Sequence, residues 1–169
     1  GITLKELGRL IDAEKSYNQA IMLNPDYAEA YSNLGLTLKE LGRLDEAEAS
    51  LTQAIALKFD LGDAHNILGL TLKELGRYDE AEASYNQAIA MEPDLAEAHN
   101  NLGFTLQELG RLDEADASYR QAIALKPKYP QAHNNLGVML RDMGRSEEAL
   151  ASYTKAIALK PDYAEAHNN

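Results

Sequence analysis

The chain has 169 residues, no cysteine or tryptophan, 45% hydrophobic and 25% charged side chains, and 27 acids against 16 bases for a formal charge of −11. Composition excludes disulfide frameworks and thiolate metal sites, the apolar content argues against intrinsic disorder, and the acidity disfavours a nucleic-acid partner, since phosphate binding needs a basic footprint. No apolar run approaches the roughly 18–20 residues of a membrane span and Gly1-Ile2-Thr3-Leu4-Lys5-Glu6 lacks a signal-peptide layout, so a soluble, cytoplasmic chain without membrane contact is expected.

Along the chain, Leu7-Gly8-Arg9 returns as Leu41-Gly42-Arg43, Leu75-Gly76-Arg77, Leu109-Gly110-Arg111 and Met143-Gly144-Arg145, each step being 34 residues. Gly1, Gly35, Gly69, Gly103 and Gly137 form a second series, and Pro25, Pro93, Pro127 and Pro161 a third, with Phe59 where one more proline is due. Residues 28–61 and 96–129 share 24 identities in 34. Likeness at that level inside one chain means tandem duplication of one structural unit. The expected organisation is a single array over 1–169: a partial repeat 1–27, full repeats 28–61, 62–95, 96–129 and 130–163, and the start of a further repeat at 164–169. Gly1 falls at the eighth position of a repeat and Asn169 at the sixth. Such ends lack polar caps, so head-to-tail self-association is expected, with Ala164–Asn169 of one copy meeting Gly1–Leu7 of another.

Within a repeat the apolar spacing is helical. Tyr31, Leu34, Gly35 and Leu38 follow i, i+3, i+4, i+7, and Ala47, Leu51, Ala54 and Ile55 resume the pattern after Gly42. This predicts helices near 28–41 and 45–57 in each unit, the first ended by a left-handed glycine and the second begun by Asp45-Glu46 in the favourable field of the helix dipole. Asp26-Tyr27-Ala28-Glu29, repeated at 94–97 and 162–165, reads as a capping box. His65, His99, His133 and His167 share the fourth position and are expected to pack, because equivalent residues on helices about 8–10 Å apart cannot share a zinc with nitrogen ligands at about 2 Å. No catalytic signature or phosphate loop is present, so neither an active site nor a cofactor is expected.

The set Tyr31, Leu34, Gly35, Leu38, Ala47, Leu51 and Ala54 in a 34-residue period resembles the tetratricopeptide repeat family over essentially the whole chain. Tyr or His stands for the family's usual Trp, Phe59 replaces a proline, and Lys128 with Pro130 breaks one capping box. The RNA-binding pentatricopeptide family differs in its 35-residue period and usually basic groove. The resemblance implies an all-α, right-handed superhelical solenoid of antiparallel helix pairs whose concave groove holds an extended or helical protein segment.

At 100° per residue the third, fourth, seventh, eleventh and fourteenth positions of a repeat share one side of its first helix, and the second, fifth, ninth, twelfth and thirteenth the other. The first set is the expected core. In the second, the ninth position carries Leu36, Leu70, Phe104 and Val138, apolar residues on a polar face that the helix pattern does not require. Asn66, Asn100 and Asn134 hold the fifth position, Asn33, Asn101 and Asn135 the sixth, and Lys39, Lys73 and Arg141 the twelfth. Primary amides offer donors and acceptors to a peptide backbone without reading its side chains, or they bond to a neighbouring helix instead. The sixth-position row resembles the asparagine ladder of the O-linked N-acetylglucosamine transferases, which contacts polypeptide substrates. A carboxylate clamp is not supported, since acids and amides stand where it needs cations. These residues form the candidate peptide-binding face, for a partner combining basic and apolar residues. The alternatives are a substrate-recruiting arm of a larger glycosyltransferase-like enzyme, and a self-assembling scaffold.

Overall fold

The computed structural model describes residues 4–58 and 61–169, which form ten α-helices and no strand. Gly1, Ile2, Phe59 and the side chains of Lys5 and His167 lie outside the described residues. The helices pack as two compact units divided after Met91. The first contains α1 (Leu4–Leu23), α2 (Ala28–Glu40), α3 (Leu44–Leu57), α4 (Gly62–Glu74) and α5 (Tyr78–Met91). The second contains α6 (Ala96–Glu108), α7 (Leu112–Leu125), α8 (Pro130–Asp142), α9 (Ser146–Leu159) and the short α10 (Ala164–Asn168).

Leu41-Gly42-Arg43 is too short a link for anything but an antiparallel neighbour. Accordingly Lys58, just past the end of α3, places its Nζ 3.1 Å from Glu29 Oε1 at the start of α2. Gly42 sits at φ 77°, where the Arg43 amide donates to the Leu38 carbonyl and the Gly42 amide to that of Lys39. That double closure satisfies the last carbonyls of the helix and turns the chain back. Gly8 holds the same register but lies inside α1, which continues through it.

The core follows the third and eleventh positions, with Ala30, Leu38, Ala64 and Leu72 buried in the first unit and Ala98, Leu106, Ala132 and Leu140 in the second. Against them lie Leu51, Tyr85, Tyr119 and Tyr153 of the second helices. The eighth-position glycines permit this approach: a Cβ on Gly69 would fall 2.6 Å from Tyr85 Cε1, inside contact distance. Removing a large apolar side chain from water is worth about 1.5–3 kcal/mol, so these glycine–aromatic seams are a main source of cohesion.

Two features differ from the sequence expectation. The capping boxes are not formed: the N-caps are Tyr27, Leu95 and Tyr163, none with a side-chain cap bond. Around Tyr27 the reason is local, since its amide closes a turn onto the Asn24 carbonyl and helix begins at Ala28, leaving Asp26 one residue too early. The tenth position is also buried, although its threonines fall outside the expected core set. Thr37, Thr71 and Thr105 return their hydroxyls to carbonyls four residues back, at 2.8, 2.9 and 3.0 Å, and so enter the interior satisfied.

Three of the turn arginines, Arg43, Arg77 and Arg145, bridge repeats. Arg77 grips Glu80 with Nε and Nη2, both at 2.6 Å, while Nη1 donates to Glu48 of the preceding repeat at 2.6 Å. Arg43 joins Glu46 and Glu14 in this way, and Arg145 joins Glu148 and Asp116. The paired glutamates Glu46, Glu80 and Glu148 are held below the usual carboxylate range by these guanidinium hydrogen bonds.

Candidate binding face

The first helices α2, α4, α6 and α8 present the ninth position away from the core. Leu36 is exposed and Leu70 half-buried in the first unit, while Phe104 and Val138 are half-buried in the second. None is fully buried, so each retains apolar surface toward solvent.

The amides are placed differently. Asn66, Asn100 and Asn134 are buried, the last two at 6% and 4% exposure. Asn100 Oδ1 accepts from Asn135 Nδ2 at 3.1 Å, and Asn134 Oδ1 accepts from Asn169 Nδ2 at 3.1 Å. In the second unit, then, the fifth position of one repeat and the sixth of the next form inter-helix amide pairs, which lowers the cost of burying the fifth. Asn33 is exposed, and Asn101 and Asn135 are half-buried at the margin of the face.

The twelfth position is tied into local ion pairs and hydrogen bonds. Lys39 Nζ lies 2.7 Å from Glu74 Oε1 of the next repeat, and the lysine side chain is largely covered. Arg141 is exposed and donates from Nε and Nη2 to the adjacent Asp142, at 3.2 and 3.1 Å. Gln107, which replaces a cation at this position, accepts from the Tyr119 hydroxyl at 3.1 Å. Lys73 is half-buried.

The fourth-position histidines face the other way. His99 and His133 place Nε2 3.1 Å from the carbonyls of Pro93 and Pro127, so the ring N–H donates to the preceding loop. His65 is buried, and burial lowers its pKa below the ordinary 6.5. Among the described residues no group of three or more His, Cys, Asp or Glu could hold a metal ion. No helix among them is long and apolar enough to cross a membrane.

Family models place this geometry. The model described as TPR repeat matches residues 1–42 and 69–110, and models described as tetratricopeptide repeat match 94–162 and 28–61. None of the curated proteins matches at a significant level. Among solved structures, a crystal structure of MamA aligns with a TM-score of 0.82 at 24% identity, over 98% of this chain and 99% of that one. YrrB, described as a TPR protein with an unusual peptide-binding site, aligns with a TM-score of 0.78 at 27% identity, over 98% of this chain and 85% of its own. A thermophilic TPR protein of Thermus thermophilus also gives 0.78 and 27%, over 98% of this chain and 90% of its own. The glycine-closed helix pairs, the 34-residue period and the family matches agree along the sequence: the chain belongs to the tetratricopeptide repeat family.

Proposed function

We propose that this protein is an interaction module that holds a segment of a partner protein against the ninth-position faces of its first helices. Proteins of this family generally serve as non-enzymatic scaffolds, and the peptide-binding site ascribed to YrrB, 27% identical, supports the same use of the fold here. The observation that carries the reading is the apolar ninth position, Leu36 and Leu70 in the first unit and Phe104 and Val138 in the second, which retains exposed surface on a side of the helices that the core does not need. The partner segment offers apolar side chains to these residues. Its basic residues meet second-position acids such as the exposed Asp63.

Backbone recognition falls to Asn33 and Asn101 at the margin, because the fifth-position asparagines are buried and the Asn135 amide is engaged by Asn100. Asn66, Asn100 and Asn134 accordingly hold the face in shape, and replacing them tests packing as much as binding. The discriminating variant is Leu70→Asp with Phe104→Asp. Affinity capture from a lysate, read by mass spectrometry, is expected to lose partners with this variant while its helical circular dichroism and melting stay near wild type. Unchanged capture by the folded variant would refute the reading.

A second reading, head-to-tail self-association, is favoured by one observation. The position holding Glu14, Glu48 and Asp116, which pair with arginine of the next repeat, holds Leu150 in the last full repeat, 68% exposed. A light-scattering mass of one chain over a wide concentration range would remove it.

A further inference from the structure

A second surface stands apart from the face described above. In the first unit a groove of about 230 Å³ runs over α4 between α3 and α5, and in the second a groove of about 540 Å³ runs over α8 between α7 and α9. The same repeat positions line both. Ile55, His65, Leu68 and Ser84 of the first correspond to Ile123, His133, Leu136 and Ser152 of the second. Only the rims change character: Thr52 and Gln87 become Arg120 and Lys155. At 100° per residue, His133 and Leu136 lie on the opposite side of α8 from Val138, so this groove is distinct from the ninth-position face.

The cationic rim belongs to a wider asymmetry. Residues 117–160 carry seven Lys and Arg against three Asp and Glu, whereas residues 1–116 carry nine against 22. Arg120 is oriented by Asp116, 2.7 Å from its Nε, and by Glu148, 3.3 Å from its Nη2. Lys155 is exposed and makes no ion pair among the described residues. An apolar floor beside an uncompensated ammonium, inside the one basic stretch of an acidic protein, is complementary to a carboxylate next to an aliphatic or aromatic side chain.

We propose that the groove over α8 docks an acidic segment of a partner protein, with an Asp or Glu on Lys155 and Arg120 and a neighbouring apolar side chain on Ile123 and Leu136. A polypeptide fits better than nucleic acid, because the floor is apolar and the chain as a whole repels phosphates. The first unit supplies the internal control, since Gln87 stands where Lys155 does.

The test is selection of a random-peptide display library on the whole chain, with Lys155→Glu and Gln87→Glu run in parallel. Both substitutions are at exposed positions, and circular dichroism confirms that each variant folds. The expected result is enrichment of peptides pairing Asp or Glu with a large apolar residue. Their affinity should fall about ten-fold or more with Lys155→Glu, stay unchanged with Gln87→Glu, and weaken with added salt. No enrichment, a pool without acids, or equal loss in both variants would overturn the proposal. So would displacement of the peptides by a single-stranded oligonucleotide at equal salt, or a dimer of this chain abolished by Lys155→Glu, which would name nucleic acid or a second copy as the occupant.

Discussion

The two units solve one packing problem with different chemistry. In the first, Ser32 and Ile67 occupy positions where the second has paired amides, and α2 is joined to α4 by the Lys39–Glu74 ion pair at 2.7 Å. In the second, α6 and α8 are joined by the hydrogen bond between Asn100 and Asn135. The aromatic seam varies from repeat to repeat. Tyr119 donates its hydroxyl to Gln107, whereas the buried hydroxyls of Tyr85 in the first unit and Tyr153 in the second have no hydrogen-bond partner. The backbone and the small and leucine core positions, such as Ala30 and Leu38, are thus held between internal copies while polar positions vary. Each copy serves as the control for the other.

The largest effect that sharpens this comparison comes from glycine. Gly69→Ala is expected to cost about 1–3 kcal/mol, since the new methyl meets the Tyr85 ring at 2.6 Å. Gly8→Ala, inside α1 with nothing within 4 Å, should instead raise stability by about 0.5–1 kcal/mol. Urea denaturation of both variants checks the signs, and equal destabilisation would break the claim that only the seam glycines are needed for close approach.

A smaller contrast separates the tyrosines. Tyr119→Phe should cost about 1 kcal/mol by removing a hydrogen bond, while Tyr85→Phe should be neutral or slightly stabilising because its hydroxyl is buried unpaired. Melting temperatures of the two single variants decide it, and matching losses would mean that the Tyr85 hydroxyl is satisfied in solution.

The smallest effect depends on pH. Burial holds the His65 pKa below 6.5, so the folded chain binds fewer protons there than the unfolded chain. The contribution of this site is complete above pH 6.5 and is lost as pH falls from 6.5 through the folded value. The groove around it, lined by Thr52, Ile55, Leu68, Ala83, Ser84 and Gln87, brings no charged side chain to offset protonation. His65→Tyr, which restores the residue type of Tyr31 one repeat earlier, should flatten the decline in melting temperature between pH 7.5 and 5.5. An unchanged slope would assign that decline to groups other than His65, and not to the guanidinium-paired glutamates, whose contribution is lost only below the ordinary carboxylate range.

Helix boundaries, the turning glycines and the alanine and leucine core were legible because each is specified within one 34-residue repeat. Gly42 needs only its own turn, and Ala30 and Leu38 only their own helix face. For Asn100 and Asn134 the sequence left two readings open, partner contact or a bond to the neighbouring helix, since the choice depends on an amide 35 residues away. The reach of Arg77 to Glu48, 29 residues back, was not legible. Thr71 fell outside the expected core set for a third reason: a hydroxyl that bonds to its own helix loses its polar signature on burial. The groove over α8 was hidden because its rim cations, Arg120 and Lys155, sit on two different helices of two different repeats.

The arginine bridge has a consequence for how such a chain grows. An acid at the Glu48 position and an arginine at the Arg77 position are the same two halves of a joint in successive copies. Any copy bearing both can be inserted after any other, and unequal crossing-over within the gene would yield arrays whose joints are already complementary. Leu150 interrupts that interchangeability, because a spare copy spliced in after α9 would arrive with its arginine facing a hydrocarbon.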